Sequence, residues 1–105
     1  MKIFEIKNLD CSIKENRKIL MKEFVKVMKL DHVPDKEEIG RISDKVERKY
    51  KCKLRIFLDK DKNLMASMER ESSFSTFSVE TLTEAFIKEC MIVRLLVLNE
   101  RKNPK

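Results

Sequence analysis

Glycine is almost missing from this sequence, with Gly40 alone in 105 residues, and tryptophan is absent altogether. One glycine excludes the glycine-rich phosphate loops, both the dinucleotide fingerprint and the P-loop, because those turns need several residues without a Cβ beside the phosphates. His32 is the only histidine, and Cys11, Cys52 and Cys90 form no C-x-x-C pair. A structural zinc site therefore lacks its usual ligand spacing, and no metal or cofactor is expected. An odd cysteine number, no secretory leader and the charged start Met1-Lys2-Ile3-Phe4-Glu5 predict reduced thiols and a cytoplasmic protein. Long apolar runs are missing too. Met91 to Leu98, interrupted by Arg94, falls far short of the ~20 residues that cross a bilayer, so a soluble chain with no membrane partner is expected. The length suits one small domain with a single core, assigned here to 1–98, followed by a polar tail at 99–105.

What the chain has is charge, with a formal net of +6. The excess is confined to residues 1–58, which hold 16 Lys/Arg against 10 Asp/Glu, while 59–105 balance at 8 and 8. A localised positive field favours acidic protein surfaces or nucleic acid. Its densest part is a stripe of Lys14, Lys18, Lys22, Lys26 and Lys29, opposite Ile13, Leu20, Phe24, Val27 and Met28. At about 100° per residue this is an amphipathic helix with a basic outer ridge, predicted over 13–29. Ser12 to Glu15 has the form of a capping box that would start it. Pro34 forces a break, and Asp35 with Glu38 makes a second capping pattern for a helix whose apolar seam is Ile39, Ile42, Val46 and Tyr50. Arg41, Arg48 and Lys49 on that helix extend the candidate basic patch.

Two β features precede the end of the chain. Lys2 to Lys7 alternates enough to predict a short strand. Residues 52–58 alternate strictly, and with Asp59–Asn63 as the loop, Leu58 faces Leu64, Ile56 faces Ala66 and Leu54 faces Met68. The same register sets Lys53 opposite Glu69 and Lys51 opposite Glu71, which favours cross-strand ion pairing over a nucleic-acid platform made of Lys51, Lys53, Arg55 and Phe57. Ser72 to Ser78 offers a brief third strand before Ser78 caps a final helix, with Phe77 stapled on Leu82.

That helix is predicted from Val79 to about Leu98, with 91–98 open to a second reading as a buried strand. Its core line is Leu82, Phe86, Cys90, Val93 and Val97. A further apolar line, Ile87, Met91, Leu95 and Leu98, lies on another side, so either the helix is sandwiched in the core or this line is a homodimer or partner interface.

No nucleophile, base and orienting acid can be grouped without arbitrary choice. His32 beside Pro34 reads as an exposed loop histidine, Glu37 and Glu38 as helix-start acids, and Asp59 and Asp61 as turn residues. Cys11, just before a helix, stands where a thiol pKa is lowered by the helix end, with nothing to complete a catalytic set. The order of helix, hairpin, short strand and helix is that of double-stranded-RNA-binding domains. Here, though, the last helix opens on Glu80 and Glu84, where a phosphate-binding helix needs lysines, and that family is not assigned. A winged-helix reading is equally strained by the long first helix and the mixed charge of the hairpin tip.

The expectation is an α+β fold: a short N-terminal strand, two amphipathic helices, an antiparallel hairpin with a possible third strand, and a long C-terminal helix packed on the sheet. The expected function is a small non-enzymatic binding protein, a regulator or inhibitor acting through protein contacts and a homodimer through Ile87, Met91, Leu95 and Leu98. The alternative is a nucleic-acid-binding accessory protein using the lysine ridge.

Overall fold

The hairpin register follows directly from core matching. In the computed structural model, which describes residues 1–70 and 73–102, β1 (Lys53–Leu58) and β2 (Leu64–Arg70) pair antiparallel with Leu58 opposite Leu64, Ile56 opposite Ala66 and Leu54 opposite Met68. Lys53 faces Glu69 as expected, while the Lys51–Glu71 pair lies outside the described residues. Asp59 organises the loop: its Oδ1 accepts from the amides of Asp61 and Asn63, both at 2.9 Å, and Lys62 takes the left-handed turn at φ 63°. The third strand is present as β3 (Ser73–Ser78), antiparallel to β2, giving sheet order β1-β2-β3. The register is rigid because a one-residue slip of β2 would turn Ala66 and Met68 out of the core.

The N-terminal strand is not formed. Residues Ile3–Lys7 make a short helix, α1, in which the Lys2 amide donates to Glu5 Oε1 at 3.0 Å and the Asn8 side-chain amide donates to the Phe4 carbonyl at 2.8 Å. A strand needs a neighbour for its backbone groups, whereas these few residues satisfy theirs locally and still bury Ile6 against the rest of the chain.

Two helices follow. The first, α2 (Lys14–Val27), has Ile13 at its N-cap with no side-chain cap; Ser12 instead bonds Asp10, whose Oδ1 accepts from both its amide at 3.1 Å and its hydroxyl at 2.6 Å. The predicted Ser12 capping box is thus replaced by an Asx-type turn one step earlier. The second, α3 (Lys36–Tyr50), starts as expected: Asp35 accepts from the Glu38 amide at 2.9 Å, and Glu38 reaches back to the Asp35 amide. Lys51 closes it in the left-handed conformation at φ 52°. Gly40 lies inside α3, and a Cβ there meets nothing within 4 Å. Gly40→Ala should therefore raise stability by about 0.5–1 kcal/mol, read as a shift of the urea midpoint at constant slope, because alanine loses less backbone entropy in a helix.

The last element, α4 (Leu82–Lys102), is one helix, so 91–98 is not a strand, and the helix continues into the segment expected to be a polar tail. Thr81, not Ser78, caps it: the Glu84 amide donates to Thr81 Oγ1 at 3.3 Å. Leu82 consequently sits at the first exposed turn, 55% accessible, and Phe77 is buried by other neighbours. This helix contacts α1, α2, α3, β1 and β2, which leaves little of its middle exposed. Ala85, Cys90, Met91, Ile92 and Val93 are fully buried and Ile87 nearly so, the signature of a helix enclosed on all sides. Each large side chain among them contributes roughly 1.5–3 kcal/mol by burial. The architecture is α+β, helices with a three-stranded antiparallel sheet and a long C-terminal helix against it. Among the described residues no helix is long and apolar enough to cross a membrane.

Candidate functional site

The basic residues singled out by spacing are all at the surface. Lys14, Lys18, Lys22 and Lys26 are exposed along α2, a ridge about 18 Å long at 1.5 Å per residue. Lys29 is exposed in the left-handed turn that ends the helix, at φ 55°. Arg41, Arg48 and Lys49 are exposed on α3. Because α2 and α3 each lie against α4, two concave surfaces open beside them.

The first runs along α2 and encloses about 370 Å³ between Lys18, Met21, Lys22, Val25 and Val33. Its lining is almost wholly apolar, formed by Met21, Val25, Val33 and the hydrocarbon stems of Lys18 and Lys22, and Val33, in the loop after α2, is 67% exposed. The loop is pinned to α3 by His32, whose Nδ1 lies 2.6 Å from Asp31 and whose Nε2 lies 2.6 Å from Glu38. Hydrogen bonds to those two carboxylates raise the imidazole pKa above its ordinary value.

The second concave surface, about 260 Å³, is a cleft between the end of α2, the outer half of α3 and Arg94 of α4. Met28, Leu30, Ile42 and Val46 line it with Lys45, Lys49 and Tyr50. The structure thus brings Lys49 of the predicted patch to this cleft and leaves Lys14, at the other end of α2, remote from it. Lys45, Tyr50 and Arg94 escaped the sequence reading. Arg94 carried a signal, as the one charge inside the apolar run 91–98; Lys45 carried a weaker one, a turn beyond Arg41.

The predicted interface line divides. Ile87 is 2% exposed and Met91 0%, both within this chain's own core, while Leu95 and Leu98 are half-buried further along α4. Any contact with a second chain along this line falls to its last two members.

Two polar clusters are buried around α4. At its first turns Lys88, 1% exposed, donates from Nζ to the Leu9 carbonyl at 2.9 Å. Burial lowers its pKa, opposed by the nearby Cys11, Glu84, Glu80 and Asp10. Cys11 itself is fully buried, and desolvation raises its pKa, so the helix-end activation expected from its position does not occur. The residue after Lys88, Glu89, is 0% exposed, and neither carboxylate oxygen has a hydrogen-bond partner. Burial, with Glu47 adding repulsion, pushes its pKa up to about 8. Its neighbour Cys90 is pushed up to about 12 by burial first and by Glu89 second, partly offset by a hydrogen bond with Ser43. Such thiols are protonated and poor nucleophiles. Among the described residues no three His, Cys, Asp or Glu side chains are grouped to hold a metal ion.

On the sheet, the side away from the core carries Arg55 and Phe57 of β1 and Phe74 of β3, all exposed. Glu69 stands in the row between Lys53 and Phe74, which places an acid in the middle of any would-be phosphate track. The first turn of α4 holds Glu84, so the helix start that would face a phosphate in a double-stranded-RNA-binding arrangement is acidic. The chain matches no protein-family model, no curated protein and no solved structure.

Proposed function

We propose that this chain is a non-enzymatic binding protein, a regulator or inhibitor that occupies an acidic protein partner through the basic side of α2. The observation that supports this reading is the apolar α2 groove of Met21, Val25 and Val33, which runs beside the exposed Lys18 and Lys22 of the basic ridge. Phosphate tracking needs cations alone, whereas a protein segment gains affinity by burying apolar surface beside complementary charge. The lysines steer an acidic surface toward the groove, and the apolar floor slows its release. A homodimer through Leu95 and Leu98 belongs to the same reading, as an accessory contact beyond the core part of α4.

The nucleic-acid alternative rests on the ridge of Lys14, Lys18, Lys22, Lys26 and Lys29 and predicts weak, sequence-indifferent, strongly salt-dependent binding. One set of variants separates the two. Lys18→Glu with Lys22→Glu and Lys26→Glu should abolish either interaction without unfolding the chain, since all three side chains are exposed. Val33→Ser, which adds no charge, should remove most protein binding, about tenfold in Kd, and leave phosphate binding almost unchanged. The readouts are affinity purification from nuclease-treated extract near physiological salt, and fluorescence anisotropy with mixed-sequence single- and double-stranded nucleic acid. Association that disappears with nuclease, survives Val33→Ser and has a steep salt slope would replace the protein reading with the nucleic-acid one.

A further inference from the structure

Arg94 is a half-buried charge with no acidic partner among the described residues. It interrupts an aliphatic run on the helix that forms the centre of the core, and an arginine stays ionised at any accessible pH. Its Nη1 donates to Tyr50 Oη at 3.1 Å, its Nε is buried without a hydrogen-bond partner, and among the described residues no carboxylate lies within 4 Å of its guanidinium. The side chain as a whole is half-buried, and only its Nε is withheld from both water and an acceptor, at a cost of about 1–3 kcal/mol.

We propose that the cleft it lines is a binding pocket for a small monocarboxylate with an apolar body, such as a medium-chain aliphatic acid. Three features of the cleft specify that chemistry. Its charged lining is entirely cationic, Lys45, Lys49 and Arg94, and includes no acid, so the occupant is an anion. Tyr50 accepts from Arg94, which leaves its own O–H proton available to donate toward the same anion. Leu30, Ile42 and Val46 present aliphatic surface that a bare phosphate or a polyphosphate leaves unused. Size sets the rest. At about 30 Å³ for each water-sized atom, 260 Å³ matches roughly nine non-hydrogen atoms, and the open side of the cleft leaves room for the end of a slightly longer chain. Lys49, whose Nζ lies 5.3 Å over the Tyr50 ring, is held at the mouth by that cation–π contact. The site is separate from the α2 groove and stands whether or not the protein-partner reading holds.

The test is a titration of ¹⁵N-labelled protein with sodium octanoate at constant ionic strength, followed at the Arg94 Nε–H and at the amides of Lys45, Lys49 and Tyr50. Saturable shifts confined to this cleft are expected, with Kd of about 1 mM or tighter. Arg94→Met should weaken binding about tenfold or more, and Tyr50→Phe, which keeps the ring, should weaken it severalfold. Tyr50→Phe carries the test by itself if the arginine variant does not fold. Lys18→Glu with Lys22→Glu and Lys26→Glu should leave octanoate binding intact, so this pocket and the partner surface fail independently. Absence of a saturable shift at ten millimolar octanoate would overturn the proposal. So would equal binding of octanol, which marks a generic apolar groove, or tighter binding of inorganic phosphate, which marks a charge-only site.

Discussion

Raising the pH from about 5 to about 9 should cost this protein on the order of 4 kcal/mol of folding stability, and Glu89→Gln should remove most of that slope. Glu89 is fully enclosed, its oxygens are unpartnered, and its pKa stands near 8 instead of the ordinary glutamate value. Between those two values the folded chain holds a proton that the unfolded chain has released. Stability contributed by this group is therefore complete below the unfolded pKa, falls as pH rises through the window, and is gone above about 8. At about 1.36 kcal/mol per pKa unit, the roughly three units of that window lying between pH 5 and about 8 give the figure above. Glu47 is the charged neighbour that adds to the burial effect, and Cys90 and Ser43 complete the cluster between α4 and α3. His32, whose pKa is also raised, loses its contribution in the same direction, so His32→Gln should flatten a further, smaller part of the profile. Urea unfolding at stepped pH measures the slope, and an infrared band for a protonated carboxyl at neutral pH, lost in Glu89→Gln, identifies the group. A Glu89→Gln profile as steep as the parent would show that the proton resides elsewhere.

Met91→Asp should prevent folding, while Leu98→Gln should not. Met91 is 0% exposed on the enclosed part of α4, and an aspartate there places an unpaired charge among Ile87, Ile92 and Val93. Effects of this kind exceed about 4 kcal/mol, comparable with the whole stability of a small domain. The expected result is loss of the cooperative thermal transition and of near-ultraviolet circular dichroism. Leu98 is half-buried near the end of the same helix, and the cost of Leu98→Gln should stay near 1 kcal/mol. Paired with Leu95→Gln, it also tests association: if copies of the chain meet there, light scattering should show a folded monomer in place of a dimer. A folded Met91→Asp variant would mean that the middle of α4 is not the core it is described as here.

The contrast between these two substitutions marks the limit of what periodicity reveals. Ile87, Met91, Leu95 and Leu98 form one line on a helical wheel, and nothing in their spacing separates a line that faces the chain's own core from one that faces a partner. Burial separates them because α1, α2, α3 and the sheet all close around the first half of α4 and leave its second half more open. The N-terminus shows the same limit at smaller scale. Lys2–Lys7 alternates loosely, but a strand exists only beside another strand, and the sheet order β1-β2-β3 leaves these residues out. With no partner, local capping by Glu5 and Asn8 decides for a helix.

Where local rules agree with one another, the chain could be read directly. The hairpin register was legible because apolar alternation, loop length and the Lys53–Glu69 match all required the same pairing. The start of α3 was legible because Asp35 and Glu38 complete each other's hydrogen bonds. The exposed lysine ridge followed from spacing alone, since every fourth residue on α2 returns to one face. The concave sites did not follow, because each draws on residues far apart in the chain: Val33 beside Lys18, and Arg94 beside Tyr50. By itself the sequence determined the helical and β periods, the caps that complete themselves locally and the side of α2 that carries charge, all of which depend on neighbours a few residues away. Tertiary structure alone decided which apolar line became core, where Glu89 and Lys88 lost their water, and that Arg94 opens on an apolar cleft, because burial is a property of what packs against a residue and not of the residue's place in the chain.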